Sequence, residues 1–324
     1  FSFMGYDKYY NSAYISLNPK EEAEYKASFD KGENILTIDI KKDIEYNRDM
    51  FEINDNLVEY VKVDKKKTSG KIHTIAEFKL REKVKYELIS PKLTSLIRFK
   101  LVHVPVVPQD VLIVVDPGHG GKSPGAPALD GSYEKDLNLD VAKRLDKKLK
   151  DLGFKTLMIR TDDTYISLQE RVDVANWNYG DFFMSIHFNS FTQKTQGIET
   201  LYYPNSPTEA NNVNNKDIAT IFQQELIKTL NRPSRGVVPR PNLFVLNKTK
   251  MPAILAELGF ISNKEELSLI KKEEYREKAA NALAVSIVRY YKEIRGIDFE
   301  IDIPAIYTRD ITSTQNTEVV TKKP

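Results

Sequence analysis

No cysteine occurs among the 324 residues. That absence excludes disulfide scaffolds, thiolate zinc sites, iron–sulfur clusters and cysteine nucleophiles. It leaves the redox compartment open. Charge of one sign is lacking too: 48 Lys+Arg against 46 Asp+Glu leave a net charge of +2. Such a balance is far from the basic excess of a duplex-binding chain, so nucleic acid is excluded as a partner. No apolar run approaches the roughly 20 residues that a helix needs to span a bilayer. The chain begins at Phe1, without an initiator Met or a signal-peptide pattern, as expected of a trimmed or mature form.

The length suits two domains, and the patterning changes partway along. Residues 1–104 give short alternating stretches, such as Ile35–Ile40, Val58–Val63, Ile72–Phe78 and Leu96–Val102. Period-two alternation broken by Lys, Asp and Gly predicts half-buried antiparallel strands in a small β-rich domain. Pro105 and Pro108 make residues 105–110 a stiff linker. Val111–Val115 is then wholly apolar, as in a strand buried on both faces. Helical spacing over 135–152 follows, with strands expected at 154–159, 181–187, 198–203, 243–246 and 253–258. Further helices are expected at 167–178, 215–230, 263–271 and 273–294. This alternation predicts an α/β domain over 111–296, a mostly parallel central sheet with helices on both faces. Residues 297–324 are expected to be a C-terminal tail, partly disordered.

Ligands of open α/β sheets sit beyond the carboxyl ends of the strands, and four titratable groups fall there. The first strand runs into Asp116-Pro-Gly-His119-Gly-Gly121, where glycines allow a sharp turn and leave the imidazole accessible. The strand at 181–187 ends in Ser185-Ile-His187-Phe-Asn189, with Ser185, His187 and Asn189 on one face by alternation. The strand at 253–258 carries a lone carboxylate, Glu257, among Ile254, Leu255, Leu258 and Phe260, and Glu134 precedes a helix. Taken singly, each has an ordinary reading: a capping His119, a core His187, a first-turn acid at 134, or a Glu257 paired with Arg160, Arg171, Arg235 or Arg240. Together they fit a catalytic zinc site, in which two imidazoles and one carboxylate leave a fourth position for water. Burial would raise Glu257 into general-base range, and such a site would hydrolyse an amide or ester. His73 and His103 lie at strand-like positions and are read as structural.

Several separated motifs, in order over residues 111–293, resemble the zinc-dependent N-acetylmuramoyl-L-alanine amidases of the amidase-3 type. They are Val-Asp116-Pro-Gly-His119-Gly-Gly, Glu134-Lys135, Arg160-Thr-Asp-Asp163, Ser167-Leu-Gln-Glu-Arg171-Val-Asp-Val-Ala175-Asn176, Ser185-Ile-His187-Phe-Asn189-Ser190, Gly197-Ile-Glu199-Thr and Met251-Pro-Ala-Ile-Leu-Ala-Glu257-Leu-Gly-Phe-Ile-Ser262-Asn263. The resemblance implies zinc on His119, Glu134 and His187, with Glu257 as the catalytic carboxylate; Asn189 and Arg171 are read beside it as supporting residues. It implies peptidoglycan muramyl peptides as substrate, cleavage between N-acetylmuramic acid and L-alanine, and export to the cell envelope or beyond. Residues 1–104 match, in position and strand content, the wall-targeting AMIN domain that often accompanies the family. By that resemblance Lys65-Lys-Lys67 is either a contact to anionic wall polymer or, the preferred reading, a solvated loop. Only one helix-sized segment lies between Tyr203 and Pro241, too little for the autoinhibitory helix of some relatives, so an open site is expected. Two rival readings remain: a zinc peptidase cutting within the stem peptide, and a wall-binding protein with an idle hydrolase. The presence of all four site residues argues against the second.

Overall fold

Alternation of buried and exposed positions becomes strand along most of the first hundred residues. The computed structural model describes residues 4–8, 12–104, 107–204 and 214–308, and the chain divides into two units, Phe1–Pro105 and Val106–Pro324. In the first unit, β1 (Met4–Lys8), β2 (Ser12–Leu17), β10 (Ile97–His103) and β8 (Val84–Leu88) form a four-stranded sheet in the order β1-β2-β10-β8. A six-stranded sheet runs β5 (Met50–Glu52), β6 (Val58–Thr68), β7 (Lys71–Leu80), β4 (Ile35–Ile40), β3 (Ala23–Asp30) and β9 (Leu93–Thr94). Every pairing is antiparallel. One core joins the two sheets, with Phe78 edge-on to Phe99 at 5.1 Å. Lys65–Lys67 is not a loop: it extends β6 opposite Ile72–Thr74, because a strand edge needs only backbone partners and leaves its lysines in water. His73 Nδ1 lies 2.8 Å from Asp39 Oδ1, a strand-to-strand contact.

The second unit opens with a 3-10 turn, Pro108–Asp110; of the expected linker, residues 105 and 106 lie outside the described residues. Its sheet runs β12 (Lys155–Met158), β11 (Leu112–Pro117), β13 (Phe182–Asn189), β16 (Ala253–Phe260), β14 (Ile198–Tyr202) and β15 (Ser234–Pro239). Only the β14–β16 pair is antiparallel, so β14 and β15 run against the other four. One face packs Ile113, Met184, Ile186 and Ile254 against α1 (Glu134–Asp151), α3 (Asn215–Leu230) and α6 (Glu273–Arg289). Helices α2 (Leu168–Trp177) and α4 (Phe244–Lys248) pack on each other, and α4 also touches β16. Their buried residues lie outside that core cluster, on the opposite face with Val114 and Phe183. The mostly parallel α/β sheet with helices on both faces is therefore present, preceded by the β-rich unit.

The second unit departs from expectation in three places. Residues 243–246, expected as a strand, are instead the extended N-cap Leu243 and the first turn of α4; four apolar residues cannot distinguish the two periods. Strand β15 was not anticipated, because Gly236 and Pro239 disguise an edge strand. The expected tail also differs where it is described. Ile297, Phe299, Ile301 and Ile303 pack on the core, and α7 (Ile303–Thr308) lies against α6. Residues 309–324 lie outside the described residues. Helix α3 is a core element, with Phe222 stacked on Phe182 at 5.6 Å. Replacing Phe222 by Ala should destabilise this unit by about 3–5 kcal/mol, read as a lower denaturant midpoint; an unchanged midpoint would contradict the packing.

Candidate metal centre

The chain leaves β11 through Gly118, His119, Gly120 and Gly121, and the last three have positive φ of 62°, 133° and 53°. Glycine suits two of these positions; at His119 the left-handed backbone costs roughly 1–2 kcal/mol. A Cβ on Gly118 would overlap the His187 ring, so the imidazole lies directly on the loop backbone. Two buried arginines hold this turn. Arg160 donates from Nε to the Pro117 carbonyl (3.0 Å) and from Nη2 to the carbonyls of Gly118 and Lys135 (both 2.9 Å). Arg171 donates to the carbonyls of Pro117 (2.9 Å), His119 (2.7 Å) and Ile166 (3.0 Å), and pairs with Asp116 Oδ1 at 2.5 Å. Ser185 Oγ donates to the other oxygen of Asp116 at 2.8 Å.

Glu134 is the first residue of α1, where the helix N-terminus favours a carboxylate. Its Oε2 lies 3.2 Å from His119 Nε2 and accepts from Ala126 N at 3.0 Å. Its Oε1 lies 2.7 Å from His187 Nδ1 and accepts from Asn138 Nδ2 at 3.2 Å. Asn138 also donates to the Gly118 carbonyl at 3.1 Å, tying helix to loop. The His119 Nδ1 sits 3.1 Å from Ser123 Oγ. One ligand atom each from His119, Glu134 and His187 falls within 4.8 Å of the others. Burial alone would raise the Glu134 carboxyl, but hydrogen bonds with His119 and His187 outweigh it and hold it well below the usual carboxylate range. Burial works against a charged His187 ring, yet its bond to Glu134 raises it overall. Two imidazole nitrogens and one carboxylate suit a borderline transition ion; magnesium and calcium take oxygen ligands. The residues present fit such an ion.

Glu257 is the direct Cα partner of His187 across the β13–β16 pair. The residue is half-buried, but its Oε2 is closed to solvent and accepts no hydrogen bond among the described residues. Burial pushes its carboxyl up to about 8; His187 opposes the shift, while Glu134 and Glu199 add to it. Beyond His187 the register slips from His187↔Glu257 to Asn189↔Phe260, a bulge on β16 with Gly259 at φ 130°. Asn189 is thereby turned to Glu199, donating to its Oε1 at 2.8 Å. None of the four arginines considered for Glu257 hydrogen-bonds to Oε2. Sequence reasoning passed over Asp116, Ser123, Asn138, Arg160 and Glu199 as site supports. Asn138 was legible, four residues after Glu134 on one helix face; nothing in the sequence marks Ser123.

A family model described as N-acetylmuramoyl-L-alanine amidase matches residues 113–289. The Bacillus subtilis (strain 168) protein YqiI is 37% identical over 181 residues, covering 56% of this chain and 85% of YqiI. The N-acetylmuramoyl-L-alanine amidase LytC of the same strain is 37% identical over 188 residues, 58% of this chain but only 36% of LytC. A solved N-acetylmuramoyl-L-alanine amidase from Clostridium difficile 630 superposes with a TM-score of 0.53 at 34% identity. That superposition covers 56% of this chain and 97% of the other. A Gly118→Ala variant should displace His187 and lower divalent transition-metal affinity by about tenfold or more, with an unchanged far-UV spectrum. Chelator competition would measure it, and wild-type affinity would refute the Gly118–His187 contact.

Proposed function

Because this chain belongs to the N-acetylmuramoyl-L-alanine amidase family, we propose that it hydrolyses, with zinc, the amide bond between the lactyl carbonyl of N-acetylmuramic acid and L-alanine in peptidoglycan. His119, Glu134 and His187 are the proposed zinc ligands, and Glu257 the proton carrier. The observation that supports this most is the His–Glu–His cluster within 4.8 Å, with Glu257 directly opposite His187. Zinc there would polarise the scissile carbonyl and lower the pKa of water. The Glu257 carboxylate, directly opposite His187, takes the proton of the attacking water. The carbonyl carbon gains the oxygen and the C–N bond breaks. Glu257 then returns the proton to the departing alanine nitrogen, leaving a lactyl carboxylate and a free amine. Arg171 fixes the His119 loop, and Asn189 positions Glu199. Residues 1–104 are proposed to be an AMIN-type wall-targeting module, on the support of their position and antiparallel strands. Action in the cell envelope follows from the substrate.

Glu257→Gln should lower kcat by about 10²–10⁴-fold while metal content stays at the wild-type level; near-full turnover would refute the proton-carrier role. His187→Ala should lose zinc by elemental analysis, and full occupancy would refute the ligand set. In digested sacculi, new N-terminal L-alanine and unsubstituted muramic acid are expected; alanine left on the sugar would indicate a stem peptidase. The base must be deprotonated to act, so kcat/KM should rise with pH along an acid limb. Burial raises Glu257 from 4.5 to about 8 and a bound cation would pull it back, placing that limb between these values. A flat profile from pH 4.5 to 8 would contradict it.

A further inference from the structure

The paired row His187–Glu257–Glu199 continues one strand further, because Glu199 is also the Cα partner of Gly236 in β15. Directly paired residues project to the same face. The face that carries Glu257 therefore extends over a residue with no side chain. Among the described residues, apart from its own chain neighbours, no heavy atom lies within 4 Å of where a Gly236 Cβ would stand, so these residues leave the space above it open. Alternation from Gly236 brings Val238 and then Arg240 to this face, while Val237 packs against the core cluster on the other. Arg240 N donates to the Tyr202 carbonyl at 2.8 Å, fixing the arginine three residues along the sheet from Glu199. That offset is about 10 Å at strand rise, a gap the long side chain narrows.

Arg240 is exposed, and its guanidinium makes only a long hydrogen bond among the described residues, 3.5 Å to the Pro239 carbonyl. Among the described residues no carboxylate pairs with it. Arg235 differs: its Nε faces Glu199 Oε2 at 3.6 Å and its guanidinium lies over the Phe260 ring at 5.1 Å. The Arg240 charge is also felt at Glu257, where it works against the upward shift. Glu257 and Glu199 share this face, Arg235 already faces Glu199, and Arg240 is left to meet an anionic group; an arginine fork suits a carboxylate. We propose that the peptide arm of the substrate runs over Gly236 and that Arg240 binds its carboxylate, the free α-carboxylate of the D-glutamate that follows L-alanine. The proposal rests on the amidase reading.

The test uses two muramyl tripeptides that differ only in carrying that α-carboxylate or its amide. The full chain should prefer the acid by about tenfold or more in kcat/KM, the worth of one charge-assisted hydrogen bond. The preference should be expressed mainly in KM, vanish in Arg240→Gln, and return in part in Arg240→Lys, which keeps the charge. Equal rates on both compounds, or a preference that survives Arg240→Gln, would overturn the proposal while leaving the amidase reading intact. Sacculi that release no N-terminal L-alanine would overturn the amidase reading itself, and this proposal with it.

Discussion

Two buried guanidinium groups hold the turn on which the site depends. A chain leaving a buried strand end presents several carbonyls with no strand partner, and orphaned buried carbonyls are costly. Here Arg160 and Arg171 supply the donors to the carbonyls of 117, 118 and 119, while Asp116 balances the charge of Arg171. The same clamp keeps His119 in a left-handed conformation that its side chain disfavours. Without it the loop would lose its reason to bring one imidazole beside the other; the two rings lie 5.0 Å apart, edge to face.

Sheet direction supplies the second constraint. Strands β11, β13 and β16 run together, so their carboxyl ends deliver His119, His187 and Glu257 to one region. At β14 the direction reverses, and a carboxylate near the start of that strand, Glu199, falls opposite Glu257. Buried carboxylates side by side need partners of opposite charge or a retained proton. Glu199 has Asn189 and faces Arg235, whereas Glu257 Oε2 has no hydrogen-bond partner among the described residues. That asymmetry supports the proposal that Glu257, and not Glu199, carries the proton.

The long periodic elements were legible, since α1 and α3 each show an apolar face over many turns and α6 is apolar along its buried second half. The short ones were not: residues 244–246 turned helical where they pack on β16, and the edge strand β15 hides behind glycine and proline. Within the site, charged or imidazole groups at strand ends stood out because burial there demands a reason. Ser123 did not, being an ordinary residue type whose role exists only through what folds against it.

By itself the sequence determined which side chains with acid–base or ligand chemistry lie at strand ends, and that they sit in an α/β frame behind a β-rich segment. Those are local properties, read from periodicity and from charge placed in apolar runs. Tertiary structure alone decided that His119, Glu134 and His187 meet within 4.8 Å and that Glu199 stands beside Glu257. It also left Arg240 without a carboxylate partner among the described residues. Distances between groups remote along the chain follow from strand order, direction and register, and a local pattern encodes none of these.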